Sequence, residues 1–196
     1  MKYVIANWKM NMTQEKVNNW LNQFELIMSE PFGVTIVIAP SFIHIPIVKF
    51  FAEKYRYIKI AAQDVSTQEM GAHTGEIAAQ QLKEYCDFCI VGHSELDEDQ
   101  TIKKAKAKMC LEHGIIPIVC SKNPEIEWKN IDKRYLLTWE DPSNISKGGI
   151  YNPKPVQEVS KEIKKLVEIE GHSNVIYGGS VNETNSIDLA KINEVS

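Results

Sequence analysis

A histidine and a carboxylate stand close together directly after a short apolar run. The run is Phe88–Val91, and Gly92, His93, Ser94 and Glu95 follow it. A continuous apolar run of this length is typical of a buried strand in a parallel sheet. In parallel α/β proteins the chemistry lies at the carboxyl ends of the strands. The pair could carry acid–base chemistry, or His93 could cap the next helix while Glu95 binds a surface lysine. This stretch alone leaves both interpretations open.

Polar groups also follow three other apolar runs. Lys9 ends the first run, with Asn7 on the same strand face two residues earlier. Glu140 directly follows Leu136–Trp139, where burial would make its carboxylate a usable base. The stretch Gly178-Gly179-Ser180 offers backbone amides and a hydroxyl to an oxyanion. A base, a cation, an imidazole and an oxyanion nest together predict proton abstraction beside the carbonyl of a phosphorylated substrate.

Length and composition predict one globular domain over residues 1–196. The chain is 43% hydrophobic and 24% charged, which is ordinary for such a protein. Its net charge of −4, with no basic patch, argues against a nucleic-acid partner. No stretch is long and apolar enough for a membrane span, so no membrane partner is expected. Strand-like sequence begins at Tyr3 and leaves no room for a signal peptide, which predicts a cytoplasmic location.

Four cysteines raise the question of a metal site. Cys86 and Cys89 have the CxxC spacing of metal and redox sites, but Cys110 and Cys120 stand alone in apolar segments. Cys89 also falls inside a predicted strand. We therefore expect four buried reduced thiols and no bound metal.

Strand-like runs alternate with helical stripes along the whole chain. The predicted strands are Tyr3–Trp8, Val34–Ala39, Ile58–Ala62, Phe88–Val91, Ile115–Cys120, Tyr135–Trp139 and Asn174–Tyr177. Apolar stripes with helical spacing lie within 17–28, 43–51, 77–85, 102–111 and 156–167. This alternation predicts βαβ units and a parallel sheet.

Two architectures fit that alternation, an open doubly wound sheet and a closed (β/α)8 barrel. The open sheet usually carries a glycine-rich turn after its first strand, whereas Asn7–Asn11 contains no glycine. Polar groups follow several different strands, which is typical of a barrel. The prediction is therefore a (β/α)8 TIM-barrel.

The predicted barrel has only seven parallel strands, with the eighth βα unit missing. Ser121–Arg134 shows little helical stripe, so we expect a shortened or absent fifth helix. Thr184–Ile192 is expected to form one more helix, after which the sequence reaches Ser196 without an eighth strand. A C-terminally incomplete barrel would leave the edges of the first and seventh strands open.

Several motifs in order along the chain resemble the triosephosphate isomerase family. They are Asn7–Asn11, Ala61–Glu76, Val91–Glu95, Pro117–Cys120, Glu140 and Tyr177–Val181. The resemblance covers nearly the whole chain and thins between Ser121 and Tyr135. It implies a homodimeric enzyme of glycolysis and gluconeogenesis that interconverts dihydroxyacetone phosphate and D-glyceraldehyde 3-phosphate through an enediolate.

The resemblance also implies a role for each motif. Catalysis would fall to Glu140 as general base, His93 as neutral electrophile and Lys9 as electrostatic clamp, with Glu95 in support. The substrate-binding residues would be Asn7, Lys9, Ser146, Gly179 and Ser180. Gln63, Thr74 and Gly75 would belong to a loop that reaches into the partner subunit. No metal or organic cofactor is implied.

The chain departs from the family pattern at several of these motifs. Asp141-Pro142-Ser143 follows the base where the family has proline, an apolar residue and tryptophan. Ser146 stands where a glycine is usual, Asp64 replaces an asparagine, and Leu96-Asp97 replaces an arginine pair. These differences leave an alternative function open, that of a catalytically impaired relative that binds a sugar phosphate or only dimerises.

Overall fold

The computed structural model describes residues 2–29, 33–122, 128, 132–141, 152–171 and 174–196. All seven predicted strands form. They are β1 (Lys2–Asn7), β2 (Val34–Ala39), β3 (Ile58–Ala62), β4 (Phe88–Val91), β5 (Ile116–Ser121), β6 (Leu136–Trp139) and β7 (Val175–Tyr177). The helices are α1 (Gln14–Ile27), α2 (Ile45–Ala52), α3 (Ala79–Lys83), α4 (Gln100–Glu112), α5 (Val156–Glu170) and α6 (Ser186–Ala190), and a 3₁₀ turn spans Phe42–His44.

The helices form where the apolar spacing predicts them, and local signals set their ends. Helix α1 starts after Thr13, whose side chain accepts a hydrogen bond from the backbone N–H of Lys16. It buries a stripe formed by Val17, Leu21 and Phe24. Helix α5 ends at Gly171, which adopts the left-handed conformation with φ 67° that a glycine C-cap favours.

The chain forms two compact units. The first comprises Met1–Val91 and Ala105–Pro117, and the second comprises Gly92–Lys104 and Ile118–Ser196. The single-domain interpretation of the sequence stays a prediction. In the described ranges, no helix has the length and apolarity that a membrane span requires.

The first unit contains four parallel strands in chain order. Strand β1 pairs with β2 over six residues, β2 pairs with β3, and β3 pairs with β4. A doubly wound sheet would reverse its strand order at a switch point, and no reversal occurs among these four strands. Strand β4 is buried along its whole length, which explains its continuous apolar sequence.

The second unit continues the same pattern. Strand β5 pairs in parallel with β6, and β6 pairs in parallel with β7. Both β6 and β7 are fully buried. The predicted fold class, an α/β protein of the (β/α)8 barrel family with seven parallel strands, is confirmed.

The expected open edge of β7 is partly occupied. Val195 forms a parallel bridge with Val175, and the Ser196 N–H donates to the Val175 carbonyl at 2.8 Å. Val175 also pairs with Leu137 of β6, so it has neighbours on both sides. The described chain therefore covers the start of β7 on the side away from β6.

One predicted feature falls on residues that the structure describes only in part. The shortened or absent fifth helix is expected between Ser121 and Arg134, where 123–127 and 129–131 lie outside the described residues. It stays a prediction. Residues 142–151, which include the predicted site residue Ser146, also lie outside the described residues.

A buried tyrosine–glutamate pair secures the end of α5. The Tyr135 hydroxyl donates to Glu170 Oε2 at 2.6 Å, and Tyr135 is only 1% exposed. Lys133 Nζ donates to the backbone carbonyl of Glu170 at 2.7 Å. Burial raises the pKa of Tyr135, and the bond to Glu170 raises it further, so the phenol keeps its proton.

Replacing Tyr135 with phenylalanine is expected to destabilise the fold by roughly 1–3 kcal/mol, because the buried Glu170 carboxylate loses a donor. Urea unfolding followed by circular dichroism measures the change. Tyr85→Phe is the control, since Tyr85 is 38% exposed and its variant is expected to unfold like the parent. An equal loss in both variants would show that the hydrogen bond contributes nothing specific.

Candidate active site

Lys9 and Asn7 form the first group of candidate residues, in the first unit. The Lys9 backbone N–H donates to Asn7 Oδ1 at 2.9 Å. Lys9 has φ 50°, a left-handed conformation that a non-glycine residue adopts only at a cost of about 1 kcal/mol or more. The bond to Asn7 holds this turn directly after β1, so Asn7 positions Lys9 through its backbone.

Residues that follow β2 and β3 also hold the Lys9 turn, through hydrogen bonds to its carbonyl. Gln63 Nε2 donates to the Lys9 carbonyl at 3.0 Å and to the Ala39 carbonyl at 2.9 Å. The Ser41 hydroxyl donates to the Lys9 carbonyl at 2.9 Å. Gln63, which the resemblance assigns to support across a subunit interface, thus supports Lys9 within its own chain.

Thr74 and Gly75 lie in a protruding loop of the first unit. Every residue from 68 to 76 is exposed, and the Ser66 N–H donates to the Ile77 carbonyl at 2.9 Å across the base of the loop. Gly75 has φ 92°, a conformation that strains other residues.

A partly buried ion pair lies in the same unit. Asp64, which replaces the family's asparagine, accepts two hydrogen bonds from Lys106 Nζ at 2.6 and 2.8 Å. The Lys106 side chain is 9% exposed. The substitution at Asp64 is therefore matched by a charge partner on α4.

In His93, which lies in the second unit, one ring nitrogen accepts a hydrogen bond from the backbone of a nearby residue. The Glu95 backbone N–H donates to His93 Nδ1 at 3.3 Å, while the Glu95 carboxylate stands at 3.6 Å from the same nitrogen. The amide contact is the shorter of the two, which makes Nδ1 an acceptor. A neutral imidazole then carries its proton on Nε2 and can donate from there.

Glu140 faces that proton. Its Oε1 lies 3.7 Å from His93 Nε2, too far for a strong hydrogen bond, so both groups remain able to contact a third atom. The two side chains are 11% and 15% exposed. The Glu140 N–H donates to the Ser121 carbonyl at 3.0 Å, which fixes the residue at the end of β6. The structure brings this predicted pair together.

Cys120 also contacts Glu140. Burial raises the pKa of the Cys120 thiol well above its usual value, and the charge and hydrogen bond of Glu140 raise it further. The thiol therefore stays protonated and donates to the Glu140 carboxylate. Sequence analysis missed this role because Cys120 reads as an ordinary core cysteine; its position at the end of β5, beside β6, was the available signal.

The other three thiols are buried in the first unit. Cys86, Cys89 and Cys110 carry no disulfide. Burial raises the pKa of Cys86 to about 12, and the Cys89 thiol donates to the Ile90 carbonyl at 3.4 Å. In the part of the chain that the structure describes, no three histidine, cysteine or acidic residues form a metal-binding group.

The aliphatic part of the Lys103 side chain packs against Gly92, the residue before His93. Gly92 has φ 70°, and a Cβ there would lie 2.6–2.9 Å from three side-chain carbons of Lys103. The Lys103 charge acts on Cys120 and opposes the rise in its pKa. Lys103 is thus a cation near the Cys120–Glu140 contact that sequence analysis did not single out, since it reads as a solvated helix lysine.

Ser180 follows β7 in a second left-handed turn, with φ 46°. Its side chain is buried, and its Oγ accepts from the Asn152 N–H at 3.1 Å. The Ser180 carbonyl accepts from the side chains of Asn182 and Asn185. Gly179 precedes it and is partly exposed. Ser146, the other predicted phosphate-binding residue, lies outside the described residues.

The comparisons with known proteins identify the family of the chain. A family model described as triosephosphate isomerase matches residues 2–196. The chain belongs to the triosephosphate isomerase family. The match spans nearly the whole chain, so it includes every strand and every candidate residue described above.

Three relatives show the level of sequence identity between this chain and known members of the family. The triosephosphate isomerase of Aquifex aeolicus (strain VF5) is 30% identical over 226 residues, covering 100% of this chain and 91% of the relative. The triosephosphate isomerase of Legionella pneumophila (strain Paris) is 29% identical, and the match covers 99% of this chain and 90% of the relative. The triosephosphate isomerase of Nocardia farcinica (strain IFM 10152) is 30% identical, and the match covers 95% of this chain and 85% of the relative. These matches confirm the predicted triosephosphate isomerase function and the enzyme class, that of an isomerase.

Replacing Gly178 with alanine is expected to lower kcat by roughly 10-fold, because small displacements of a reacting group are costly. The new Cβ would lie 2.9 Å from Thr138 Cγ2 and 3.7 Å from Glu140 Cγ, which forces the end of β6 to shift. Steady-state kinetics measure the change. Gly33→Ala is the control: with φ 71° and open space around it, it should reduce stability but not kcat. Equal kcat in both variants would contradict the proposed displacement.

Proposed function

We propose that the chain interconverts dihydroxyacetone phosphate and D-glyceraldehyde 3-phosphate, with Glu140 as the base and His93 as the hydrogen-bond donor. The observation that carries the proposal is the 3.7 Å separation of Glu140 Oε1 and His93 Nε2 in a largely buried setting. A carboxylate and an N–H that face each other without a strong mutual bond suit a substrate carbon and oxygen placed between them.

Glu140 would remove a proton from the carbon beside the substrate carbonyl. The electrons of that C–H bond form the C=C bond of an enediolate, and the negative charge moves to the carbonyl oxygen. His93 Nε2–H donates to this oxygen, and Lys9 stabilises its charge as a cation held after β1. His93 Nε2 would pass its proton to this oxygen and take up the hydroxyl proton from the oxygen on the adjacent carbon, so that the negative charge moves to that second oxygen. As the second oxygen re-forms a C=O bond, Glu140 would return its proton to the former carbonyl carbon, which gives the other isomer with no net change in the enzyme.

Asn7 and Glu95 would act through these groups. Asn7 supports the left-handed turn of Lys9 through a 2.9 Å hydrogen bond, and the Glu95 amide keeps the His93 proton on Nε2. The substrate phosphate would contact Gly179 and Ser180, with Ser146 as a further donor. The left-handed turn at Ser180 supports this, since strained backbone is concentrated at binding sites.

The test is isomerase turnover of the purified chain, in both directions, with coupled assays. Saturable turnover and competitive inhibition by phosphoglycolate are the expected results. Deuterium incorporation from heavy water into the substrate carbon would report the proton transfer directly. A folded chain that neither turns over substrate nor exchanges the carbon-bound proton would contradict the proposal.

We propose that the chain forms a homodimer through the exposed loop that contains Thr74 and Gly75. Continuous exposure of residues 68–76 supports an interface there, since the base of the loop is closed by the Ser66–Ile77 bond. Sedimentation equilibrium tests it: the parent should be a dimer and Thr74→Arg a monomer. A monomeric parent, or a dimer that Thr74→Arg leaves intact, would contradict this interface.

A cytoplasmic location and a place in glycolysis and gluconeogenesis complete the proposal. Four buried thiols without disulfides are consistent with a reducing compartment. Fractionation of the source cells, followed by detection with an antibody, would test the location. Recovery of the chain outside the cytoplasmic fraction would contradict it.

A further inference from the structure

The segment between β1 and α1, which carries Lys9, has little burial to hold it in place. Trp8 is buried, and the centroid of its ring lies 5.0 Å from that of Trp20. The five residues that follow, 9–13, are exposed or partly exposed. Segments with few buried apolar contacts open readily unless other contacts hold them. The orientation of Lys9 therefore depends on the hydrogen bonds that this segment makes.

Two side chains that follow β2 bind the backbone of this segment. The Ser41 hydroxyl donates to the Lys9 carbonyl at 2.9 Å. His44 Nε2 lies 3.1 Å from the Met12 carbonyl oxygen. Lys9 and Met12 are three residues apart, and so are Ser41 and His44. The turn that carries Lys9 is thus held at its beginning and at its end from the same short stretch of chain.

That short stretch is itself well fixed. The His44 N–H donates to the Ser41 carbonyl at 2.9 Å, which closes the 3₁₀ turn over Phe42–His44. The turn runs directly into α2, whose first residue, Ile45, is buried together with Val48. Side chains on a regular, packed element hold their partners more precisely than side chains on a loose loop.

The imidazole of His44 has a polar role in the core. His44 is only 3% exposed. A carbonyl oxygen can only accept, so Nε2 carries a proton and donates to Met12. The other ring nitrogen, Nδ1, is buried and has no hydrogen-bond partner in the part of the chain that the structure describes. An apolar side chain would avoid this unpaired nitrogen, so what the imidazole contributes is the bond to Met12.

The strain at Lys9 makes such support necessary. Its left-handed backbone, with φ 50°, persists only where the surroundings over-determine it. Asn7 and Gln63 bind the turn at Lys9 itself, through its N–H and its carbonyl. Ser41 adds a second donor to that carbonyl, and His44 fixes the chain three residues later.

We propose that Ser41 and His44 are positioning residues for Lys9. By binding the Lys9 and Met12 carbonyls from one rigid turn, they set the direction in which the Lys9 side chain leaves the backbone. Neither residue needs to touch the substrate. The inference rests on the proposed function, in which Lys9 stabilises the charge of the enediolate.

Two variants of Ser41 test the first contact. Ser41→Ala removes the hydroxyl and is expected to lower kcat/KM by about 5–10-fold, because small displacements of a reacting group are costly. Ser41→Thr keeps a hydroxyl donor and should stay within about two-fold of the parent. Steady-state kinetics measure both. Ser160→Ala is the matched control, since Ser160 is a partly exposed serine of α5 in the other unit, and it should behave like the parent.

Two variants of His44 test the second contact. His44→Leu removes the donor and leaves the Met12 carbonyl unpaired, so it should also lower kcat/KM by about 5–10-fold. His44→Gln can place an N–H close to the position of Nε2 and should recover most of that loss. Equal kcat/KM in Ser41→Ala, His44→Leu and the parent would overturn the proposal.

The same substitutions in a Lys9→Met background separate positioning from general structural support. Residues that act only through the Lys9 side chain lose their effect when that side chain is absent. Ser41→Ala should therefore change the residual kcat/KM of Lys9→Met by less than about two-fold. A loss of the same size in both backgrounds would overturn the proposal, since it would show that Ser41 supports the fold and not Lys9.

An NMR measurement distinguishes failure of this inference from failure of the proposed function. The three-bond coupling between the amide proton and the α-proton of Lys9 reports its φ angle. It should change from the parent's value in Ser41→Ala and in His44→Leu, and remain at that value in Ser160→Ala. These changes would support the two contacts even in a chain without turnover. An unchanged coupling in both test variants would overturn the inference even in an active enzyme.

Discussion

Replacing Glu140 with glutamine is expected to reduce kcat by roughly 10²–10⁴-fold, which is the usual contribution of a positioned general base. Glutamine has nearly the same shape as glutamate but cannot take up a proton from carbon. The Glu140 side chain is 11% exposed and stands 3.7 Å from His93 Nε2, so the substitution removes the carboxylate that faces the imidazole. Steady-state kinetics and deuterium incorporation should fall together.

Glu158→Gln is the control for this experiment. Glu158 lies in the first turn of α5 with its side chain 62% exposed, so its variant should retain full turnover. Thermal unfolding of Glu140→Gln should remain close to that of the parent, because the fold does not depend on the charge. Turnover preserved in Glu140→Gln would remove Glu140 from the role of base.

The sequence predicted the strands well because burial dictates their composition. Strands β4, β6 and β7 are buried at every residue, and a strand buried on both faces requires a continuous apolar run. The limits of α6 were less predictable. We expected a helix over Thr184–Ile192, but α6 spans Ser186–Ala190 because the Asn182 side chain accepts from the N–H and hydroxyl of Thr184 in a turn.

The site was predictable in its residue types but not in its geometry. The positions of His93 and Glu140 after two apolar runs indicated a paired site. The left-handed turn at Lys9 could not be predicted, because two of the residues that hold it are distant in sequence: Ser41 and Gln63 bind the Lys9 carbonyl. The ion pair between Asp141 and Lys154, 2.7 Å apart, gave no local signal for the same reason.

The imidazole of His93 should contribute nearly as much to turnover as the base. Replacing His93 with alanine is expected to reduce kcat by roughly 10²–10³-fold, the usual cost of removing one hydrogen-bond donor to a developing oxyanion. The Glu95 amide occupies Nδ1 at 3.3 Å, so Nε2 is the nitrogen that donates. KM should change less than kcat, because the negative charge on the oxygen is present only in the transition state.

His93→Gln provides the decisive comparison, since glutamine keeps an N–H donor of similar reach. It should recover part of the activity that His93→Ala loses, whereas Glu95→Gln, which keeps the backbone amide, should stay within a few-fold of the parent. Equal activity of His93→Ala and the parent would show that the substrate oxygen is stabilised elsewhere. A large loss in Glu95→Gln would instead show that the carboxylate at 3.6 Å, and not the amide, controls the imidazole.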